Sequence, residues 1–334
     1  MRFLIIGLGS MGKRRIRCLQ RLGQMDIVGF DPREDRRQEA VDKYGITSEG
    51  DMEKAIKAEF DAWIISTPPD THLDYGFMAI ENGIPFFTEA NVSDPRGSSM
   101  AALVRDTGIL GAPSSTMRYY FGPKKIKALL SKNVIGKPLL FTYHTGQYLP
   151  DWHPWESYKD FYVSKRETGA CREIVPFELS WLAEVFGKVT TLSALKDKVS
   201  DLDCDIDDVY QLLLRFENGL SGHLLVDVVS RPAVRVFRIA GSLGTIEWDH
   251  TANQVRLWTM GAEPNAYELE TFDLGAGTVE AGYIHAEEPY VEEMADFIAA
   301  VNGERAWPYS FEDDEAVLDQ LIRAENSSDN GVHQ

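Results

Sequence analysis

The chain has 334 residues, 44% of them hydrophobic and 26% charged, which is enough for two globular domains of ordinary composition. Its formal net charge is −18, from 52 acidic and 34 basic side chains. That balance argues against a nucleic-acid partner and against an anionic membrane surface, because both would repel the protein.

The first part of the chain alternates short apolar runs with amphipathic stretches. The apolar runs predict strands at 2–6, 26–30, 62–66 and 85–88. Helical patterns separate and follow these strands. They lie at 10–22, between the second strand and residue 44, at 71–82 and at 94–106. Strands separated by helices form parallel βαβ units with both sheet faces covered. The sequence therefore predicts a doubly wound parallel sheet in a domain of residues 1–121.

The second part of the chain is rich in strand patterns that are joined by turns. A helix at 124–132 is followed by predicted strands at 139–146, 189–194, 209–216, 219–229, 234–240, 244–248 and 255–259. Turn residues at 217–219 and 241–242 indicate hairpins, so we expect a largely antiparallel sheet. Helical patterns lie at 173–186, 289–302 and 311–325. We expect an α/β domain of residues 122–334, with the final helix either in it or packed back on the first domain.

A glycine-rich turn, Gly7-Leu8-Gly9-Ser10-Met11-Gly12, follows the first strand and opens the first helix. In a dinucleotide-binding GxGxxG turn, the first glycine allows the tight turn and the second lets the backbone approach a pyrophosphate. The third lets the helix pack on the strand. Asp31 closes the second strand, where an acid binds the adenosine ribose. We expect a dinucleotide to be bound by Gly7, Gly9, Ser10, Met11, Gly12 and Asp31.

The kind of dinucleotide depends on the residues around Asp31. A carboxylate there favours NAD because it repels the 2′-phosphate of NADP. Arg33, with Arg36 and Arg37 beyond it, leaves NADP open, although a solvated helix face is the commoner fate of such arginines. NAD is the expected cofactor.

The loop after the third strand reads Ser66-Thr67-Pro68-Pro69-Asp70-Thr71-His72. Ligands of open α/β sheets bind beyond the carboxyl ends of the strands, so Ser66, Thr67 and Pro68 should approach the ribose and nicotinamide. His72 either contacts the ribose or sits in the first turn of the next helix.

Four motifs together carry a family resemblance: GLGSMG, STPPDTH after the third strand, TEAN after the fourth, and RYYFGP before IGK. In this combination and spacing the chain resembles the glucose–fructose oxidoreductase / inositol dehydrogenase (Gfo/Idh/MocA) family over nearly its whole length. The resemblance implies a Rossmann domain and a C-terminal α/β domain whose open antiparallel sheet commonly forms oligomers. It also implies NAD(P)-dependent redox at an alcohol of a sugar, cyclitol or nucleotide sugar.

The chain departs from that family at two functional positions. Where the fourth strand typically ends in Glu-Lys-Pro, whose lysine contacts substrate and nicotinamide, this chain has Glu89-Ala90-Asn91. Where the family has an aspartate and, four residues later, an acid/base histidine, this chain has Glu173 and Phe177. The resemblance thus places Glu89 and Ala90 at the cofactor and Glu173 at the chemistry, in a diverged branch whose proton acceptor lies elsewhere.

Residues 147–158 are dense in aromatic side chains, with one histidine and two carboxylates. Aromatic faces stack on sugar rings, so this segment suits a carbohydrate pocket, whereas the alternative is a packed loop. His153 is the first candidate acid/base because histidine titrates near neutrality, followed by Glu173 and Tyr158. The expected substrate contacts are Tyr148, Trp155, Lys165 and Arg172. Lys165 either holds an anionic group of the substrate or is a solvated surface residue, which is the commoner fate. Arg172 is either a substrate contact or an ion-pair partner of Glu173.

Three functions remain open on the sequence alone. The first is an NAD(P)-linked oxidoreductase of a sugar, amino sugar or nucleotide sugar. The second is NAD-assisted elimination or epimerisation without net redox, and the third is a non-catalytic protein that binds cofactor or sugar. We expect a small-molecule substrate, no metal, and a homodimer or homotetramer through the C-terminal sheet. An N-terminus without a signal peptide and three cysteines without CxxC spacing predict a cytoplasmic protein.

Overall fold

The computed structural model describes residues 1–152, 157–263, 265–275, 277–279 and 286–330, and the chain divides into two compact units. The first unit comprises Met1–Tyr119 and Gly277–Ala316, and the second comprises Tyr120–Ala276 and Val317–Gln334. The boundary after Tyr119 lies close to the expected one at residue 121. Residues 277–316, however, belong to the first unit, whereas the sequence reading placed them in the second.

The first unit contains a six-stranded parallel sheet in the order β3-β2-β1-β4-β5-β6. Its strands are β1 (Arg2–Ile6), β2 (Asp26–Phe30), β3 (Thr47–Glu49), β4 (Ala62–Ile65), β5 (Phe86–Thr88) and β6 (Gly111–Pro113). This order confirms the predicted doubly wound parallel sheet. The sequence reading missed β3 and β6 because three residues are too few to show a strand period.

The helices of the first unit cover both faces of that sheet. They are α1 (Ser10–Arg21), α2 (Glu34–Tyr44), α3 (Met52–Ala55), α4 (His72–Glu81), α5 (Gly97–Thr107) and α8 (Glu288–Val301). Alternate residues of β1 enter opposite cores, as the period of two in a strand requires. Phe3 and Ile5 pack with Phe297 of α8, and Leu4 and Ile6 pack on the other face. Helix α8 thus completes a core of the first unit, which explains why residues 277–316 belong there.

The second unit contains an eight-stranded sheet in the order β14-β13-β12-β11-β7-β10-β9-β8. Its strands are β7 (Pro138–Gly146), β8 (Val189–Asp197), β9 (Val209–Phe216), β10 (Ser221–Asp227), β11 (Val234–Gly241), β12 (Gly244–Asp249), β13 (Gln254–Met260) and β14 (Tyr267–Asp273). All neighbours are antiparallel except the central pair β7 and β10, which is parallel. This confirms the largely antiparallel sheet. The edge strand β14 was missed because its side chains are mostly exposed and show no apolar alternation.

Helices α6 (Phe121–Ser131) and α7 (Ala170–Phe186) pack on one face of this sheet. The last helix, α9 (Phe311–Asn330), is divided between the two units at residue 316. Its C-terminal part lies along the edge strand β8, where the hydroxyls of Ser327 and Ser328 accept hydrogen bonds from the amides of Ala194 and Lys196. That part of α9 therefore covers an edge that would otherwise expose its amides. Within the described residues no helix is both long and apolar enough to cross a membrane.

Candidate functional site

The glycine turn between β1 and α1 has the geometry that close approach of a backbone requires. Gly7 has a φ of +92°, and a Cβ there would lie 2.6 Å from the carbonyl oxygen of Ser66. A Cβ on Gly12 would lie 1.8 Å from the carbonyl oxygen of Gly7. Beside Gly9, by contrast, the nearest described atom to a Cβ is Arg36 Nη1 at 3.7 Å. Gly7 and Gly12 are therefore required by packing, whereas Gly9 leaves open space at the turn.

Helix α1 starts at Ser10 without an acidic residue in its first turn, so the positive end of its dipole is not neutralised locally. Backbone amides at such an end bind phosphate groups. Met11 follows in that turn, and its sulfur lies 3.9 Å from Arg14 Nη1. The turn fits the pyrophosphate of a dinucleotide, and the assignment of Ser10 and Met11 as contacts stays a prediction.

Asp31 is buried at the end of β2 and braces the glycine turn. Its Oδ2 accepts a hydrogen bond from the Leu8 amide at 2.8 Å, and its Oδ1 accepts one from the Arg33 amide at 2.9 Å. The arginines beyond it have different partners. The Arg33 side chain pairs with Asp35 on the surface, whereas Arg36 Nη1 lies 3.7 Å from Asp31 Oδ2. Arg36 is thus the guanidinium paired with the Asp31 carboxylate on the open side of Gly9, and Arg37 Nη1 donates to the Asp31 carbonyl oxygen at 2.7 Å. The assignment of Arg33 as a cofactor contact stays a prediction.

The loop after β4 is held from within. His72 is buried in the first turn of α4, and its Nε2 lies 2.7 Å from the carbonyl oxygen of Thr67. Burial lowers the pKa of His72, which favours the neutral ring. Of the two alternatives for His72, its position in the first turn is therefore the one observed, and its buried ring braces the loop. Pro68 is exposed, and Ser66 donates to Glu89 Oε1 at 3.0 Å.

Glu89, at the end of β5, is bound by a buried arginine. Arg15 Nε donates to its Oε1 at 2.9 Å and Arg15 Nη2 donates to its Oε2 at 2.8 Å. Ala90 follows as a buried residue with 8% exposure. The next residue, Asn91, closes a turn in which its side chain accepts from the Asp94 amide at 2.9 Å. The carboxylate of Glu89 is therefore committed to the fold, and Ala90 adds no polar group to this loop.

In the second unit, the parallel pairing of β7 and β10 brings the residues after both strands to one edge of the sheet. Helix α7 begins at the same edge, where Cys171 Sγ lies 3.8 Å from the carbonyl oxygen of Val226 in β10. The chain after β7, the chain after β10 and the first turn of α7 therefore meet. We call this region the α7 edge.

Glu173 lies in the first turn of α7, and its Oε1 accepts a hydrogen bond from the hydroxyl of Tyr162 at 2.9 Å. The backbone that presents Glu173 is tightly constrained. Ala170 has a φ of +30°, which is rare for a residue with a Cβ, and a Cβ on Gly169 would lie 2.4 Å from the Lys165 carbonyl oxygen. Phe177 follows one turn along the helix and is half-buried. The structure thus pairs the carboxylate with a phenol.

The sequence reading missed Tyr162. Its predicted aromatic segment stopped at Tyr158, and no spacing rule connects residue 162 with a helix that begins eight residues later. Tyr158, a candidate acid/base on sequence, accepts a hydrogen bond at its hydroxyl from the Asp203 amide at 3.2 Å, and its catalytic role stays a prediction. The other catalytic candidate, His153, lies outside the described residues, as does Trp155.

The remaining predicted substrate residues differ in their surroundings. Arg172 Nε donates to Glu325 Oε1 of α9 at 2.8 Å, so this guanidinium supports the fold. The Lys165 side chain is exposed. Tyr148, which follows β7, lies under the guanidinium of Arg231 with 3.8 Å between the ring centre and Cζ. Tyr148 is thus an aromatic face beside a cation at the α7 edge.

His144, in strand β7, forms a hydrogen bond with a buried acid. Its Nε2 lies 2.7 Å from Asp227 Oδ2 at the end of β10. Asp227 Oδ1 also accepts from the amides of Val229 and Ser230, at 2.9 and 2.7 Å. Burial alone would raise the pKa of Asp227, but the hydrogen bonds from His144 and these amides lower it below its usual value. Asp227 therefore stays charged and fixes the chain that follows β10.

Comparison with known proteins agrees with this architecture. The profile described as an oxidoreductase family with an NAD-binding Rossmann fold matches residues 1–96, and that of the Gfo/Idh/MocA C-terminal domain matches residues 124–247. No curated protein matches the chain significantly. The two profiles define the class as an NAD-binding oxidoreductase. The chain belongs to the Gfo/Idh/MocA family.

Several solved structures share the fold over the whole chain. An oxidoreductase from Agrobacterium radiobacter, in complex with NAD⁺, L-tartaric acid and magnesium, has 18% identity and a TM-score of 0.85. A levoglucosan dehydrogenase in complex with NADH and levoglucosan has 17% identity and the same TM-score. An oxidoreductase domain protein from Kribbella flavida has 18% identity, again with a TM-score of 0.85. Each comparison covers 100% of this chain and 98% of the other. At this identity the likeness is one of fold.

Proposed function

We propose that the protein is an NAD-dependent dehydrogenase that oxidises an alcohol of a sugar-type substrate, with Glu173 and Tyr162 handling the hydroxyl proton. The observation that carries this proposal is the 2.9 Å hydrogen bond from the Tyr162 hydroxyl to Glu173 Oε1. Glu173 stands where the family has its aspartate, one helical turn before Phe177, which stands in place of the family's acid/base histidine.

The chemistry requires a group that accepts the hydroxyl proton as the carbon gives up a hydride. Bound NAD supplies the hydride acceptor. Ala90 and Phe177 carry no titratable group, whereas Glu173 can take a proton at Oε1. Tyr162 donates to that oxygen, so the substrate proton can pass to the phenol oxygen as the phenol proton passes to Glu173. His153 stays a prediction as an alternative acceptor.

A carbohydrate substrate is supported by the aromatic side chains near the α7 edge, since Tyr148 and Tyr162 offer faces that stack on sugar rings. The fold relative that carries levoglucosan points to the same class of substrate. The preference for NAD over NADP is supported by the position of Asp31 at the end of β2.

The proposal is tested by mixing the protein with NAD, then NADP, and with free, amino and nucleotide-linked sugars while reduced nicotinamide is followed by absorbance. We expect one sugar to reduce NAD. Glu173→Gln and Tyr162→Phe should slow that single turnover by roughly 10²- to 10⁴-fold, the usual contribution of general acid–base catalysis. Glu184→Gln, on the same helix but paired with Lys127, serves as the matched control. If the cofactors bind and no sugar reduces them, NAD-assisted elimination or epimerisation, or a binding role, replaces this proposal.

We also infer a homodimer or homotetramer through the sheet face opposite α6 and α7. Leu140 in β7, Leu195 in β8 and Leu213 in β9 are 54%, 67% and 60% exposed, and together they present apolar surface on that face of the sheet. Leu213→Glu should reduce the sedimenting mass without unfolding the protein, and an unchanged mass would contradict this assembly. A cytoplasmic location is supported by the free thiols of Cys18, Cys171 and Cys204.

A further inference from the structure

A loop at the α7 edge carries a guanidinium that pairs with no carboxylate of the described residues. Arg231 lies in the exposed turn between β10 and β11. Its guanidinium carbon is 3.8 Å from the ring centre of Tyr148, close enough for a cation–π contact. Among the described residues, that ring is its observed partner, and no carboxylate pairs with it.

Most arginines of the second unit pair with a carboxylate. These are Arg166, Arg172, Arg235, Arg238 and Arg256. Within the described residues Arg231 has no carboxylate partner, as is also the case for Arg215 and Arg323. What distinguishes Arg231 is its place at the α7 edge, over the ring of Tyr148.

The loop that carries Arg231 is fixed from both sides. Asp227 accepts from the amides of Val229 and Ser230 and from the Ser230 hydroxyl, the last at 2.9 Å. From the other side, the Tyr148 amide donates to the carbonyl oxygen of Ser230 at 2.9 Å. These bonds fix the backbone that precedes Arg231, and the contact with the Tyr148 ring is the one observed for its guanidinium among the described residues.

A guanidinium that pairs with no carboxylate among the described residues is suited to a planar oxyanion, which it binds through two parallel hydrogen bonds. Arg231 and Tyr148 also share the α7 edge with Glu173, because β7 and β10 are parallel and Cys171 contacts β10. A molecule whose oxyanion binds Arg231 could place its sugar ring against the aromatic side chains near the α7 edge.

We propose that Arg231, stacked on Tyr148, binds an oxyanion of the substrate, so that the substrate is an acidic sugar bearing a carboxylate or a phosphate. That the bound molecule is a substrate rests on the proposed dehydrogenase function. Binding of an oxyanion at Arg231 does not itself require turnover. Lys165, the other predicted anion contact, is not part of it.

The test is equilibrium binding by calorimetry to the full chain saturated with NADH, with D-glucuronate, D-glucose 6-phosphate and neutral D-glucose as probes. We expect at least one acidic sugar to bind about tenfold or more tightly than D-glucose, the scale of a hydrogen bond to a charged group. Which of the two binds distinguishes a carboxylate from a phosphate. Arg231→Gln should abolish that preference and Arg231→Lys should retain part of it.

The matched control is Arg323→Gln, a half-buried arginine of α9, which should leave the preference intact. Retained preference in Arg231→Gln, equal binding of acidic and neutral sugars, or no binding of either acid at millimolar concentration would each overturn the proposal. Arg231-dependent binding of an acidic sugar without any reduction of NAD would uphold this site while contradicting the dehydrogenase function.

Discussion

Arg15 and Glu293 form a fully buried ion pair in which Arg15 Nη1 donates to Glu293 Oε2 over 2.8 Å. Glu293 also accepts from Ser114, from the amide of Ser115 and from Thr116, so each of its oxygens is bonded. Arg15 lies in the helix of the glycine turn and Glu293 lies in α8. Arg15 also bonds to Glu89, so it connects the helix of the glycine turn both to the end of β5 and to α8.

Replacing Arg15 by methionine should destabilise the protein by about 3–5 kcal/mol, because two buried carboxylates lose their cation. Urea unfolding of Arg15→Met measures this loss. Arg21→Met is the matched control, since Arg21 pairs with Glu288 near the surface and should cost no more than about 1 kcal/mol. Equal losses in the two variants would show that the buried network does not stabilise the fold.

Gly9 and Gly12 should separate binding from folding. Gly12→Ala would place a Cβ 1.8 Å from a carbonyl oxygen and should cost about 1–3 kcal/mol or more of stability. Gly9→Ala meets no described atom closer than 3.7 Å, so its free energy of unfolding should change by no more than about 0.5 kcal/mol. Its methyl group would nevertheless obstruct a pyrophosphate, and NADH affinity measured by fluorescence titration should fall. Unchanged NADH binding in Gly9→Ala would exclude this turn as the pyrophosphate site.

The choice between NAD and NADP should depend on Asp31 and Arg36. NADH should bind more tightly than NADPH, because the Asp31 carboxylate repels a 2′-phosphate. Asp31→Ser should narrow that difference, and adding Arg36→Ala to it should restore the difference by removing the nearby guanidinium. Parallel fluorescence titrations with the two cofactors measure the effect, and Arg33→Ala is the control because Arg33 pairs with Asp35. If Arg33→Ala alters selectivity more than Arg36→Ala, the assignment of Arg36 is wrong.

Asp314 should make stability depend on pH. Burial raises the pKa of Asp314 from its usual value of 3.8 to about 7, and Tyr309 donates to its Oδ1 at 3.3 Å. The folded protein thus binds this proton more tightly than the unfolded chain does, so the stabilisation is complete below pH 3.8 and is lost as pH rises to about 7. At about 1.4 kcal/mol per pKa unit, the change amounts to a few kcal/mol.

Asp314→Asn should flatten that part of the stability curve, because the amide does not titrate. The free energy of unfolding in urea is measured at several pH values between about 4 and 8, the range that the two pKa values of Asp314 define. Asp319→Asn, an exposed change on the same helix, should leave the curve as it is. An identical slope in Asp314→Asn and the unchanged protein would contradict the raised pKa.

The sequence predicted the elements whose signals are local. The strands β1 and β2, the glycine turn and α1 were predicted to within a residue, because an apolar run, three glycines and an amphipathic helix follow one another. The parallel pairing of β7 with β10 was not foreseen, because three elements intervene and pairing is a property of the assembled sheet. The return of α8 to the first unit was missed for the same reason, since the pairing of Glu293 with Arg15 spans 278 residues.

The candidate site shows the same division. Glu173 could be identified from its place in a family pattern, whereas the side chain that bonds to it, Tyr162, could not. His72 carried the residue type expected at a ribose, yet its ring is buried against Thr67. Arg33 was predicted by its proximity in sequence to Asp31, but the backbone turns its side chain to Asp35. Residue type and spacing in the sequence identify candidate site residues. Which of them contact one another depends on the directions of their side chains, which the sequence does not give.

The most direct test of the central claim is the pH dependence of single-turnover NAD reduction, compared between the unchanged protein, Glu173→Gln and Tyr162→Phe. We expect the rate to rise with pH through one ionisation and Glu173→Gln to remove this dependence. Tyr162→Phe should lower the rate and shift the ionisation, because Glu173 loses the hydrogen bond from the Tyr162 hydroxyl. A profile that is the same in all three proteins would contradict the assignment of the hydroxyl proton to the Glu173–Tyr162 pair.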